Sequence, residues 1–370
     1  MSAAAARRRL LFLTGYPAIG GPLPKLAPLM VDGFHKACYD VRTLGWSAHT
    51  AGHESVVRKV RGRGEDVTRV LRQIRAWRPD ALYVNTAHNP SALVRDLPLA
   101  LATSGWRPPF VLHFHGSESH RLVASGHAAL KAASRALVTR TDSVLLLSHE
   151  EHREWRRFCP EARYDVVINP FVPEGRAAAC AAPRGGDEPR FFFVARLIPE
   201  KGCFDLVEAF ARVRRRCACR LVVAGRGPAR DEMARRAAEL GVLDSIDLLG
   251  YVSGEGLAAA YRTADVFVLP SYFPEGFPLA VMEAMGYALP VITTRIRGCA
   301  DHLEEGVNAL FVPARDPSAL TTAMERLAGD GRLRESMGRA NATKVQDFAP
   351  GRVMPTYLDV LDAVIGGASA

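Results

Sequence analysis

The stretch LPSYFPEGFPLAVMEAMGYALPVI, residues 269–292, decides how this chain is read. A buried-type strand end runs into a Gly/Pro loop and then into an apolar-periodic helix beginning near Pro278, with Glu275 in the loop and Glu283 inside the helix. The separation is a little over two helical turns, so both carboxylates share roughly one side of the element if the loop folds back. The helix start exposes backbone N–H groups at Gly276, Phe277 and Leu279 around Pro278, together with a positive dipole end. That arrangement suits an anion, and a diphosphate best matches several converging donors. A carboxylate on each flank repels phosphate, so the two acids make sense as partners for hydroxyl groups on either side of the diphosphate, as a sugar and a ribose supply. The alternative is that Glu275 caps the helix and Glu283 is a solvated surface charge. The apolar neighbours Leu279, Ala280, Val281, Met282 and Met285 weigh against the second half of it.

Upstream, FFFVARLIPEKGCFDLVEAF (191–210) reads as a strand, a loop carrying Arg196 and Lys201, and a helix with Leu206, Val207, Phe210 and Val213 on one face. Two cations at the carboxyl end of a strand suit a diphosphate leaving group, Arg gripping two oxygens and Lys adding a point charge. A basic loop of this kind is also commonly just solvated.

Further out, short Val/Leu/Phe-rich runs alternate with helical patterns over the whole length, which predicts parallel α/β sheets. The expected strands are 10–14, 81–85, 110–114, 143–147 and 165–169 in the first half. In the second they are 191–194, 220–224, 246–249, 266–269 and 291–294. The segment PFVPEGRAAACAAPRGGDEPR (170–190) has linker composition. With 370 residues in the chain, two domains of ordinary size are expected, with ligand bound beyond the carboxyl ends of the strands.

Apolar residues at 48% and charged residues at 24% exclude a disordered or collagenous chain, and no apolar run approaches the ~18 residues that span a bilayer. MSAAAARRR followed by LLFLT imitates a signal peptide, but the apolar run is short and reads as a first strand. Seven cysteines, none in CxxC spacing, are expected to be free thiols of a reducing cytosol. Net charge is +9, and the densest basic cluster is Arg58, Lys59, Arg61, Arg63, Arg69, Arg72, Arg75 and Arg78. It reads first as a solvated helix face and second as a contact for an anionic membrane surface. Nucleic acid is not expected, because no aromatic residues interleave with the basic ones. No Asp-x-Asp and no GxxxxGK[ST] occurs, so neither a metal-held diphosphate of that type nor a P-loop is expected.

The motifs ARLIPEKG (195–202), LVVAGRGP (221–228), LLGYVSGEGL (248–257) and PEGFPLAVMEAMGYALPVI (274–292), in this order and spacing, resemble those of the retaining glycosyltransferases of family 4. The resemblance covers nearly all of residues 191–330 and is looser before them. It implies a GT-B fold of two Rossmann-like domains facing across a cleft. The domains are expected at 1–170 plus 351–370 and at 191–350, joined by a 171–190 linker, the last helix crossing back to the first domain. It implies that Arg196 and Lys201 hold a donor diphosphate and that the turn Gly276, Phe277, Pro278 and Leu279 approaches the donor. Glu275 would bind the transferred sugar, Glu283 the ribose, and Tyr251 and Val252 would border the base. Gly20 and Gly21 resemble the family's glycine-rich turn after the first strand, where a plain turn is the alternative. His115 in VLHFHGSE resembles the family's His near the reacting carbon, contacting the sugar through its carbonyl or its ring. His113 is expected on the opposite face of the strand, against a packed layer.

The function implied is metal-independent transfer, with retention, from a UDP- or GDP-sugar to an acceptor hydroxyl. The acceptor would be a glycan or a lipid-linked saccharide, at a cytoplasmic site with peripheral membrane contact left open. No cofactor beyond the nucleotide sugar is expected. An epimerase or phosphorylase-like enzyme of the same fold, and a non-catalytic nucleotide-sugar-binding or membrane-docking module, are the rival readings.

Overall fold

The computed structural model describes residues 7–15, 23–46, 56–105, 108–173 and 188–367. These divide into two compact units, one of residues up to Phe171 together with those from Phe348 on, the other Val172–Asp347. Each is built on a six-stranded parallel sheet. The Gly20–Gly21 turn and most of the 171–190 segment lie outside the described residues.

In the first unit the strands are β1 (Arg8–Thr14), β2 (Tyr39–Gly45), β3 (Ala81–His88), β4 (Phe110–Ser117), β5 (Ser143–Leu146) and β6 (Tyr164–Val166), in the order β2-β1-β3-β4-β5-β6. The central strands are buried on both faces, which is why their sequences are unbroken apolar runs and not alternating ones. Alternate residues feed two separate cores. Leu11, Leu13, Leu82, Val84, Leu112 and Phe114 pack on one side of the sheet, and Leu10, Phe12, Tyr83, Val111 and Leu145 on the other.

The second core is closed by two helices from opposite ends of the chain. Met30 and Phe34 come from the helix Leu23–Lys36, and Met354, Tyr357, Val360, Leu361 and Val364 from the final helix Pro350–Gly367. Tyr357 fixes its position by donating from its hydroxyl to Ile168 O at 3.0 Å. Because Leu361 is fully buried, Leu361→Ala is expected to cost about 2–5 kcal/mol of unfolding free energy, measured by urea denaturation.

The second unit holds β7 (Arg190–Val194), β8 (Arg220–Ala224), β9 (Ile246–Gly250), β10 (Val266–Leu269), β11 (Val291–Thr294) and β12 (Ala309–Val312), in the order β12-β11-β10-β7-β8-β9. Counted from its own first strand this is the Rossmann order, with the chain reversing direction across the sheet between β7 and β10. Two strands were not expected from the sequence, β2 and β12. Each lies at a sheet edge; β2 mixes exposed and half-buried residues with only Tyr39 buried, and β12 has four residues. Near the edge of the first sheet, β6 stops at Val166, short of the expected Asn169.

Candidate active site

The loops leaving β7 and β10 meet at the point where the strand order of the second unit reverses. Gly202 makes this possible. It has φ of +75°, and a Cβ there would lie 2.4 Å from Pro270 O, so the turn after Lys201 packs backbone against the end of β10. The loop after β8 is similarly pressed onto the loop after β7. Gly225, at φ of +139°, would place a Cβ 1.9 Å from Ala195 O. The fragment AGRGP therefore serves as a close backbone contact supporting the Arg196 loop.

Arg196 and Lys201 converge on one aromatic ring. The Arg196 guanidinium carbon lies 5.3 Å and Lys201 Nζ 5.1 Å from the centre of Phe273. Lys201 is buried and donates to Glu275 Oε1, whereas Arg196 is exposed. Ser271 organises the loop beneath them. Its Oγ accepts from Phe273 N at 3.2 Å and lies 3.5 Å from Glu275 Oε1, and its carbonyl accepts from Thr294 on β11. Tyr272 N donates to Glu200 O at 2.8 Å, tying this loop to the segment that carries Lys201.

The helix Leu279–Gly286 follows directly, with Pro278 at its N-cap and no side-chain capping bond. Glu275 is therefore bonded to Lys201 and does not cap this helix. Phe277 is held by Gly298, where a Cβ would approach Phe277 Cβ to 2.6 Å. Glu283, half-buried on the helix, accepts from the Tyr261 hydroxyl at 2.9 Å, so it is not a plain solvated charge. Burial, then the neighbouring Glu283 charge, pushes the Tyr261 phenol well above its usual range, which keeps it a hydrogen-bond donor. Tyr251 is exposed and lies under Arg226, whose guanidinium is 5.1 Å from the ring centre; Val252 beside it is half-buried.

In the first unit, His113 and His115 lie on the same face of β4, with ring centroids 3.9 Å apart. The expectation of opposite faces fails because side chains two residues apart along a strand point the same way. His113 is fully buried, and its Nδ1 lies 3.0 Å from the Tyr83 hydroxyl. His115 Nε2 is 2.7 Å from Asn85 Oδ1, and its Nδ1 is closed off from solvent with no hydrogen-bond partner among the described residues.

Burial drives the His115 pKa from 6.5 down to about 3 and, joined by the neighbouring ring, holds His113 well below its ordinary value. Both rings are thus neutral at physiological pH, and His115 has no proton to release there as an imidazolium. Between about pH 6.5 and 3 the unfolded chain binds protons that the folded chain does not, so folding stability rises with pH across that window. Acidifying from pH 7 to 4.5 is expected to lower the melting temperature, each ring contributing at most about 1.4 kcal/mol per pH unit. The slope should flatten in His115→Gln.

Among the described residues no three His, Cys, Asp or Glu side chains converge as a metal-binding group. Phe273, Ser271 and Tyr261 were not expected from the sequence as site residues. Phe273 and Ser271 do stand in the SYFPEG loop already singled out, whereas Tyr261 reads as an ordinary core aromatic.

Two Rossmann-like units with parallel sheets, the final helix packed on the first, make this a GT-B protein. Sequence profiles agree from both ends: the family described as Glycosyl transferases group 1 matches residues 181–344, and Glycosyltransferase Family 4 matches residues 48–174. The chain belongs to the group 1, family 4 glycosyltransferases.

Among curated relatives, the GDP-mannose-dependent alpha-(1-6)-phosphatidylinositol monomannoside mannosyltransferase of Mycolicibacterium smegmatis is 29% identical over 246 residues, 60% of this chain and 64% of that protein. The chain spans 38% to 64% of the length of the curated relatives it matches first. Among solved structures, sucrose-phosphate synthase of Thermosynechococcus elongatus superposes with a TM-score of 0.80 at 19% identity, covering 98% of this chain and 100% of that one. HepE of Anabaena, solved with UDP and glucose, gives 0.74 at 18% identity over 96% and 100%. At these identities the structural likeness speaks for the fold alone.

Proposed function

We propose that this protein transfers a sugar from a nucleoside-diphosphate sugar to an acceptor hydroxyl, with retention at the anomeric carbon and without a metal ion. The observation that carries the reading is the convergence of Arg196 and Lys201 on Phe273, beside Glu275 and ahead of an uncapped helix start, where the strand order reverses. A diphosphate brings negative charge that Arg196 and Lys201 can share, competing with Glu275 for Lys201. Lys201 and Arg196 supply fixed positive charge, and the amides at the start of the helix Leu279–Gly286 add oriented dipoles.

Without donor, Lys201 rests on Glu275. With donor, Lys201 turns to phosphate oxygens, and Glu275 accepts hydrogen bonds from hydroxyls of the transferred sugar. Glu283 accepts from the ribose, and Tyr251 and Val252 flank the base. The carbon–oxygen bond to diphosphate then breaks while the acceptor oxygen bonds to the same face. The acceptor proton passes to the departing phosphate oxygen, and the nucleoside diphosphate leaves. The cations and dipoles stabilise the charge that develops on the leaving group, so their effect falls mainly on the transition state. His115 serves as a neutral contact group toward substrate, since it does not titrate near neutral pH.

The Mycolicibacterium relative, a GDP-mannose-dependent phosphatidylinositol monomannoside mannosyltransferase, supports GDP-mannose as the donor and a lipid-linked saccharide as the acceptor, with a UDP-sugar as the alternative donor. A lipid-linked or polysaccharide acceptor in glycan biosynthesis fits that relative. Among the described residues no helix is long and apolar enough to cross a membrane. The exposed Arg72, Arg75 and Arg78 on and just after the helix Val56–Trp77 would support peripheral contact with an anionic membrane surface. A thermal-shift panel of UDP, GDP and their sugar conjugates tests the donor, because a ligand bound only to the folded state raises its stability with concentration. Proton NMR of the transfer product reads the anomeric outcome. No shift with any member of the panel, or inversion at the anomeric carbon, contradicts the reading.

A further inference from the structure

We infer that Arg315 is a positioning residue of the transfer site, its guanidinium holding the Tyr272 ring so that the loop 271–275 keeps its shape. This rests on the proposed roles of Lys201 and Glu275. Arg315 stands three residues past the edge strand β12, and its guanidinium carbon lies 4.5 Å from the centre of the Tyr272 ring. That distance suits a cation attracted to an aromatic ring.

Tyr272 stands between Ser271 and Phe273, the two residues that organise the loop. Its N–H donates to Glu200 O at 2.8 Å, next to Lys201. On either side of it, Ser271 Oγ accepts from Phe273 N at 3.2 Å and lies 3.5 Å from Glu275 Oε1. A shift of the Tyr272 backbone therefore moves two things together, the Phe273 ring on which Arg196 and Lys201 converge and the support beneath Glu275. Holding the Tyr272 ring from outside limits that freedom before any donor binds, which is how a residue remote from the reacting atoms can affect turnover.

The backbone at Arg315 is anchored. Asp316, next to it, accepts from Ser318 N at 3.0 Å and Ala319 N at 2.9 Å and so caps the helix Pro317–Gly329. Arg315 itself has φ of +59°, a left-handed conformation that glycine adopts freely and a residue with a Cβ adopts at a cost. A side chain kept at such a position points to a use for it. Its charge also acts on Asp205 in the first turn of the helix Cys203–Arg214, where burial and then Glu208 raise the carboxyl and Arg315, with Arg236, opposes them. The guanidinium thus stands against the loop carrying Glu275 and within electrostatic reach of the helix that follows Lys201.

Hydrogen exchange of the peptide covering residues 270–277, followed by mass spectrometry, and steady-state kinetics test this on the wild-type protein, Arg315→Met, Arg315→Lys and Tyr272→Leu. Arg315→Met is expected to speed exchange in that peptide about two- to fivefold and to lower kcat by a similar factor, the range that one exposed contact of a cation with a ring carries, with donor KM moving less. Arg315→Lys should restore most of both, since an ammonium is attracted to the same ring. Tyr272→Leu should match Arg315→Met, and combining the two should add little. Exchange unchanged in Arg315→Met, or a loss as large in Arg315→Lys, overturns the inference. Faster exchange with kcat unchanged would make the contact merely structural and overturns it too, while the roles of Lys201 and Glu275 stand. A wild-type protein that transfers no sugar overturns those roles and the inference together, whatever the exchange shows.

Discussion

Lys201→Ala is expected to lower kcat by ~10²–10³, the size of effect seen when one preorganised transition-state donor is removed. Lys201 is buried against Phe273 and Glu275, so no exposed neighbour replaces it as a point charge at that position. Folding suffers less than catalysis. The Glu275 side chain retains 23% exposure and the Ser271 hydroxyl nearby, so leaving it without its cation costs about 1–3 kcal/mol, below the figure for a fully enclosed pair. Steady-state kinetics alongside urea denaturation separates the two quantities. A loss of activity no larger than the loss of folded protein would remove Lys201 from the chemistry.

Glu275→Ala is the second large effect. It removes a partner for the sugar hydroxyls and takes from Lys201 its ion-pair partner, leaving the ammonium beside Phe273 for the incoming phosphate. A kcat loss of ~10² or more is expected, while affinity for the free nucleoside diphosphate holds or improves, since one carboxylate no longer competes for Lys201. The double variant Lys201→Ala/Glu275→Ala sharpens the distinction. Removing both members of an ion pair together relieves most of the folding cost of removing one, so stability should recover toward the wild type while activity stays lost. Recovery of both would mean that the pair is structural.

How far these residues were legible beforehand follows from where their signals lie along the chain. Arg196, Lys201 and Glu275 stand at the ends of strands whose apolar runs are plain, so the parallel-sheet topology alone brings them to one edge. The edge strand β2 escaped because YDVRTLG buries only Tyr39 and interrupts its apolar residues with Asp40, Arg42 and Thr43, whereas ALFV of β12 is as long as the runs of β10 and β11 and has no such interruption. Tyr261 was not legible as a site residue because its partner is 22 residues away on another helix, and nothing in the local sequence reports that hydroxyl. The glycines of AGRGP looked like a poor dinucleotide fingerprint, and their use, a backbone contact onto Ala195 and Leu197, is visible only once two loops are folded together. The shared face of His113 and His115 follows from strand periodicity alone. The burial that keeps both rings neutral does not, since it depends on Tyr83, Asn85 and Tyr357 from elsewhere in the chain.

The claim beneath all of this is that fixed charge at Arg196 and Lys201 grips a diphosphate. Calorimetric comparison of a nucleoside monophosphate with the matching diphosphate, in the wild type and in Lys201→Ala, tests it most directly. The account predicts that the diphosphate binds the wild type at least tenfold more tightly than the monophosphate, as one charge-assisted phosphate contact supplies, and that Lys201→Ala erases most of that margin. An undiminished margin in the variant, or none in the wild type, would contradict it.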